Sequence, residues 1–325
     1  MIVEDVRLDR IDHHNETCRI SEDLDPPQLE NSLREIGQVN PAVLVDRNSG
    51  GLMIVCGFRR LRALRRMGRP SALARILPEG DLSLLQAFRL ALWENLSHRR
   101  LSPLEAARAL FALRHTCGLP EGSLLETYMP ALDLPPHPRV LHTYLGLHLL
   151  HPHLRAQFSE GHLALATVER LASRPTTLQQ AFAGIMAGVR LTVSLQRQVL
   201  DLVDELAALT ACPAEEVLRH AEIIEISADA GLSPQERGQK LYDLLYRQRF
   251  PRITAAEDRF FAATSEIDLP GDVHLHHDRY FETTSIRVEF QAASVSRFRT
   301  LAGALDKAAR SPKLETLFQI SQAPL

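Results

Sequence analysis

Cysteine is scarce in this 325-residue chain. Its four residues, Cys18, Cys56, Cys117 and Cys212, lie far apart and form no Cys-x-x-Cys pair. That excludes a disulfide framework and a zinc knuckle, and it fits a reducing cytosol. Lysine is nearly missing too: Lys240, Lys307 and Lys313 are the only three among 37 basic residues. Arginine therefore carries the positive charge, a bias that reflects GC-rich coding more than function. No apolar run nears the ~18 residues that span a bilayer, and Met1-Ile2-Val3-Glu4-Asp5 lacks a signal-peptide pattern. The expectation is a cytoplasmic protein with no membrane partner. A strongly basic domain is also lacking. Residues 1–100 hold 15 basic and 14 acidic residues, 101–200 hold 8 and 6, and 201–325 hold 14 and 20. Any contact with nucleic acid must come from a local patch.

What remains is an ordinary globular composition, 45% hydrophobic and 24% charged, on a chain long enough for two or three domains. The first 80 residues read as short α/β elements. Val3–Ile11 alternates like a half-buried strand, and Asp25-Pro26-Pro27 opens a helix, Gln28 to Ile36, that stops at Gly37. Asn40-Pro41 turns into the strand Ala42–Val45, and Asn48-Ser49-Gly50-Gly51 is a hairpin-type turn. Leu52–Val55 returns as a strand and delivers the chain to Gly57, and Ala72–Leu77 reads as one more strand.

Gly57 begins the densest cluster of charge. Six arginines and no acid lie between Arg59 and Arg69, while Leu61, Leu64 and Met67 recur every third residue as on a helix. A strand, a glycine turn and a helix start form an anion site, because backbone N–H groups and the helix dipole both favour negative charge there. On charge alone a solvated basic helix face stands beside that reading.

From Asp81 onward the pattern is helical. Ser83 with Gln86 and Ser102-Pro103-Leu104-Glu105 are capping boxes, starting helices over Leu84–Leu96 and from Pro103 to about Cys117. Glu121–Tyr128, Pro138–Leu150, Pro152–Phe158 and Leu163–Leu171 follow, joined by tight turns, consistent with a helix-turn-helix bundle. The helix from Pro138 carries Arg139, His142, Thr143 and His148 as candidate DNA contacts. Further on, Leu195, Val199, Leu202 and Leu206 make a stripe suited to packing against the preceding domain, with coiled-coil dimerisation as the alternative. The region around His274-Leu275-His276-His277 reads as exposed strand residues rather than a metal set, followed by a strand through Ile286, Val288 and Phe290 and two helices.

Three blocks, in order and spacing, resemble the ParB family of partition proteins. They are Gly37-Gln38-Val39-Asn40-Pro41-Ala42-Val43, then Gly57-Phe58-Arg59-Arg60-Leu61-Arg62-Ala63 followed by Gly68, then Glu94-Asn95-Leu96-Ser97-His98-Arg99-Arg100-Leu101-Ser102-Pro103. The resemblance implies an α/β N-terminal domain of the ParB/sulfiredoxin type over 1–100 and an all-α helix-turn-helix domain over 101–210. A helical linker and a small C-terminal α+β module would follow over 211–325.

It further implies a DNA-binding clamp switched by CTP and Mg2+, with slow CTP hydrolysis, in chromosome or plasmid partition. Gly57, Arg59 and Arg60 would hold the triphosphate, with Gln38, Arg62 and His98 in the same nucleotide-binding set. Glu94 and Asn95 would be the catalytic pair and the magnesium ligands, arranging the ion and the attacking water. The implied partners are double-stranded DNA, a ParA-type ATPase and a second copy of the chain, on the nucleoid in the cytoplasm. The chemistry agrees: a triphosphate needs charge-assisted donors and close backbone approach, and magnesium prefers hard oxygens.

The chain departs from the family pattern at three places. Phe58 stands where the family has glutamate, His98 where it has arginine, and Ala166-Thr167-Val168-Glu169 where it has Gly-His-Ala-Arg. A carboxylate at Glu169 repels a phosphate backbone, so an alternative reading is a nucleotide-binding protein with protein clients that has lost specific DNA binding. A small-molecule phosphotransferase on the same fold is a third reading, without a visible substrate site. Cys56 lies before Gly57, not after it as the sulfiredoxin cysteine does, and reads as the apolar end of a buried strand.

Overall fold

The computed structural model describes residues 2–47, 51–78, 80, 82–278, 281 and 283–322. The expected Asn48–Gly51 turn lies outside them at residues 48–50. The chain divides into two compact units, Met1–Ala183 and Gly184–Leu325.

The first unit begins with a five-stranded mixed sheet. Its strands are β1 (Val3–Arg7), β2 (Ile11–Asp12), β3 (Ala42–Arg47), β4 (Gly51–Cys56) and β5 (Ser71–Leu77), in the order β1-β5-β3-β4-β2. β3 and β4 are antiparallel neighbours, and β5 joins β3 in parallel. The helices α1 (Pro27–Ile36) and α2 (Phe58–Arg66) pack with the sheet. Leu44, Ile54, Leu61, Leu64 and Ala74 fill the core between them. β4 is buried at five consecutive positions, Leu52 to Cys56, which is why it reads as an apolar run rather than an alternation. Where Val3–Ile11 was expected as one strand, a single 3₁₀ turn over Leu8–Arg10 separates β1 from β2. That break lets the two strands lie at opposite edges of the sheet.

Two capping boxes then launch α3 (Leu84–His98) and α4 (Pro103–Phe111), the latter continuing as a wider π turn to Thr116. The helix Glu121–Ala131 follows, running beyond the expected end at Tyr128. The helices Pro138–His148, Pro152–Ser159 and Leu165–Ala172 complete the bundle. Helix Pro138–His148 crosses helix Leu165–Ala172 at Gly146, where a Cβ would sit 2.9 Å from the Ala172 carbonyl oxygen. Residues 1–100 thus share one compact unit with the helices that follow, and the break after Ala183 falls inside the expected segment 101–210.

In the second unit, Val199, Leu202 and Leu206 of helix Val193–Thr210 are buried. That helix packs on Pro234–Arg249 of its own unit. The helix Pro251–Ser265 has no counterpart in the sequence reading. It shares a core of Phe260, Leu275, Phe281 and Leu317 with the antiparallel pair β6 (Val273–His276) and β7 (Arg287–Phe290) and the C-terminal helices. Among the described residues no helix is long and apolar enough to cross a membrane.

Candidate functional site

β4 ends at Cys56, and the chain turns at Gly57 into α2. Gly57 has φ +100°, a left-handed conformation that favours glycine, and a Cβ there would meet the Ala42 Cβ at 3.1 Å. The turn can therefore lie against β3 only because the side chain is missing, and it sets Arg59 and Arg60 at the start of α2. A cavity opens beside this turn. Its lining holds apolar side chains, Ile20, Pro26, Leu29, Val55 and Phe58, and polar ones, Arg59, Arg60, Glu94, Asn95, His98 and Arg99.

The polar side chains are held by charge pairs between elements distant in sequence. Arg60 donates to the Asn40 carbonyl oxygen at 2.7 Å and to Glu94 Oε1 at 3.2 Å, tying α2 to the β3 entry and to α3. Arg59 donates from Nε to the Asp23 carbonyl oxygen at 2.7 Å, and its Nη2 lies 3.7 Å from Glu105 Oε1. Asn95 donates to the Ala91 carbonyl oxygen at 2.9 Å, and its own oxygen accepts from Arg99 at 3.0 Å.

Behind the wall sits Glu105, 4% exposed, with Arg99 gripping both its oxygens at 2.6 and 3.0 Å. The same carboxylate accepts the Ser102 N–H at 2.9 Å and the Glu22 N–H at 3.3 Å. Burial pushes the Glu105 carboxyl up, but the Arg99 bonds and the Ser102 N–H outweigh it, and the net shift is downward. Glu22 behaves alike: burial raises it, while Arg108 at 2.9 Å and Arg155 at 2.7 Å bring it below its ordinary value. Glu22 thereby clasps α4 and the helix Pro152–Ser159 to the segment that walls the cavity.

Of the expected nucleotide-binding residues, the fold brings Gly57, Arg59, Arg60, Glu94, Asn95 and His98 to one cavity. Gln38 and Arg62 do not line it. The Gln38 amide donates to the Leu73 carbonyl oxygen and accepts the Leu73 N–H, both at 2.7 Å. It thus acts as one more rung beside β5, just before β3 begins. Arg62 donates to Asp25 Oδ1 at 2.9 Å, a carboxylate it shares with Arg66. The Arg62 charge is thus held by the segment that leads into α1.

Cys56 is buried beneath the turn. Burial pushes its thiol up to about 12, with the Glu94 carboxylate adding to the effect, and burial does the same to Cys18. A thiol held protonated is a poor nucleophile, which agrees with a packing role.

The second expected surface lies on the helix Pro138–His148. Arg139, His142 and Thr143 line a groove with Ala166, Glu169 and Arg170 from helix Leu165–Ala172. The fourth candidate, His148, does not line that groove. Its ring stacks on Phe111 with centroids 4.2 Å apart. Burial, with Arg108 and Arg155 nearby, pushes it down to about 4. The reason is rotational: at about 100° per residue, nine positions carry His148 half a turn away from Arg139.

Sequence reasoning missed Arg99, Glu105 and Glu22 as parts of the site. Glu105 is legible as the third helical residue of a capping box, but its grip on Arg99 spans elements that only the fold brings together.

No family model matches the chain. Among curated proteins it is 30% identical over 99 residues to the "Probable chromosome-partitioning protein ParB" of Campylobacter jejuni subsp. jejuni serotype O:2. The match covers 30% of this chain and 34% of that protein, so the chain spans about a third of its relative's length. Two solved structures are similar in outline. One is the C-terminally truncated ParB from Caulobacter crescentus complexed with CTP-gamma-S, at 20% identity and TM-score 0.26 over 55% of this chain and 98% of that one. The other is a Pnob8-like ParB-N domain, at 15% identity and TM-score 0.33 over 75% of this chain and 97% of that one. Superpositions at such scores carry no argument about this chain. The weight rests on the three motif blocks, which the fold gathers around one turn and one helix end, and on the Campylobacter relative. On those grounds the chain is similar, over 99 residues, to a chromosome-partitioning protein ParB.

Proposed function

We propose that this protein is a ParB-like DNA-binding protein whose clamp or switch state is set by a nucleoside triphosphate, CTP or another, bound at Gly57. Its process would be chromosome or plasmid partition, or related regulation. The observation that carries the reading is the convergence of Gly57, Arg59 and Arg60 with Glu94 and Asn95 in the lining of a cavity that also holds Ile20, Pro26, Leu29, Val55 and Phe58. Such a cavity suits a ligand with a planar, weakly polar body and an anionic end.

The residues present fit both groups. Arg59 and Arg60 supply charge-assisted donors for phosphate oxygens, and the bare Gly57 turn allows close backbone approach. Glu94 and the Asn95 carbonyl supply the hard oxygens that magnesium takes; when bound, the ion would neutralise phosphate charge. The chain's own contribution is positioning and charge stabilisation, and any hydrolysis would be slow. Gln38, Arg62 and His98 remain candidate outer residues of this set. In the same proposal, residues 1–100 bind the nucleotide and 101–210 carry the helix-turn-helix. Residues 211–325 would form the linker and the terminal module. The partners would be duplex DNA, a ParA-type ATPase and a second copy of the chain.

One observation favours a second reading. Glu169 stands in the groove with Arg139, His142 and Thr143, and a carboxylate there opposes a phosphate backbone. On that reading the nucleotide site serves protein clients instead. Binding of labelled CTP, ATP and GTP, with and without duplex DNA, to wild type and Arg60→Ala separates the two. CTP binding that rises with DNA and is lost in Arg60→Ala is the result expected of the first reading. Nucleotide binding indifferent to DNA favours the second. No nucleotide binding in any condition defeats both.

A further inference from the structure

Arg99 is the most heavily engaged guanidinium of the cavity lining. It stands just past the end of α3 in extended conformation, with φ −161°, its N–H donating to the Asn95 carbonyl oxygen at 3.1 Å. This turns the side chain back over the wall instead of out along the helix. One nitrogen, Nη2, meets three acceptors at 3.0 Å: Ser21 Oγ, Asn95 Oδ1 and Glu105 Oε1. The other, Nη1, meets Glu105 Oε2 at 2.6 Å. The guanidinium is still 27% exposed, and it lines the cavity.

Charge around the cavity is uneven. Arg60 has Glu94 as its partner, whereas Arg59 and Arg99 both face the one carboxylate of Glu105. Two guanidinium groups on one buried carboxylate leave positive charge unsatisfied at the wall. An anion entering beside Gly57 meets that surplus. The Arg99 fork, over-supplied with acceptors at a single nitrogen, has a bond to give up.

We propose that Arg99 is a further ligand-binding residue of the cavity, contacting the anionic end of a polyphosphate ligand, and that Glu105 is the internal counter-ion competing for it. Glu105 is then a positioning residue that lowers affinity for the anion while fixing Arg99 in place. The inference rests on the nucleotide reading of this site and extends it to two side chains. It also joins the ligand to the start of α4, because the Glu105 carboxylate that would loosen its hold on Arg99 also accepts the Ser102 N–H at the α4 cap.

The test is calorimetric titration of the full chain with CTP, inorganic tripolyphosphate and cytidine, for wild type, Arg99→Ala, Arg99→Lys and Glu105→Gln. Circular dichroism on each variant checks that it is folded. Arg99→Ala should weaken CTP and tripolyphosphate about tenfold, as loss of a charge-assisted contact does, and leave cytidine unchanged. Arg99→Lys keeps the charge without the fork and should recover part of the loss. Glu105→Gln should tighten tripolyphosphate several-fold, which a merely structural carboxylate would not do. Wild-type affinity for tripolyphosphate in folded Arg99→Ala and Arg99→Lys would overturn the proposal while leaving the nucleotide site intact. No binding of CTP or tripolyphosphate by wild type would overturn it together with that site.

Discussion

The cavity beside Gly57 and the outer face of the helix Pro138–His148 belong to the same compact unit, yet they are built on different terms. In the cavity wall Arg59, Arg60 and Arg99 each meet a carboxylate or carbonyl from another element, so position is set by reciprocal pairs. On the helix face, Arg139 and His142 stand exposed on a single element, placed by helical rotation alone. A motif whose residues converge from several elements reports a site well, because spacing errors of one residue would break the pairs. A row of polar residues on one helix reports only a guess about which way each points. His148, on the same helix, lies against Phe111 instead of in the groove.

The largest effect that would break this contrast concerns Glu105. If pairing holds the cavity wall, Glu105→Ala leaves Arg99 and Arg59 without their buried partner and should destabilise the protein by about 3–5 kcal/mol. Urea denaturation measures it. A loss below 1 kcal/mol would place the wall's stability in its apolar contacts.

Next is Gly57→Ala. The positive φ and the close Ala42 contact should cost about 1–3 kcal/mol and abolish nucleotide binding, read by thermal denaturation and calorimetry. A stable variant with unchanged binding would show that the turn does not need the bare backbone.

Acid should destabilise the protein in two stages that sharpen the comparison. The His148 ring is depressed from 6.5 to about 4 in the fold, so the unfolded chain takes up the proton first. Stability is then whole above 6.5 and falls as pH drops from 6.5 toward 4. Glu22 and Glu105 are depressed below 4.5, so what they add is whole above 4.5 and is lost as pH falls through their folded values. His148→Leu should shrink the first stage by about 1–2 kcal/mol once partial exposure is allowed for, leaving the part due to His13, which burial also depresses, and leave the second. Chemical denaturation at stepped pH from 8 to about 3.5 distinguishes them. An unchanged profile in His148→Leu would mean that His148 does reach solvent.

The smallest effect is on DNA. Arg139→Ala should lower duplex affinity several-fold and reduce the salt slope by about one, whereas folded His148→Leu should leave that slope alone. Equal slopes for wild type and Arg139→Ala would favour protein clients for this face.

Most strands of the first unit, the starts of α3 and α4 and the Gly57 turn were legible in the chain because they depend on local signals. β4 is a run of apolar residues ended by glycine, and both α3 and α4 begin with complete capping boxes. The same is true of the nearness of Arg59 and Arg60, which one turn of helix fixes. Other features depended on which surfaces meet. The sequence could not show that Gln38 extends the sheet beside β5 or that Arg62 turns to Asp25. Nor could it show that Glu105, a capping residue by pattern, anchors Arg99 at the cavity wall. Local propensity acts over three or four residues and is written along the chain. The charge pairs join residues as far apart as Glu22 and Arg155, and only packing decides which carboxylate a buried guanidinium finds.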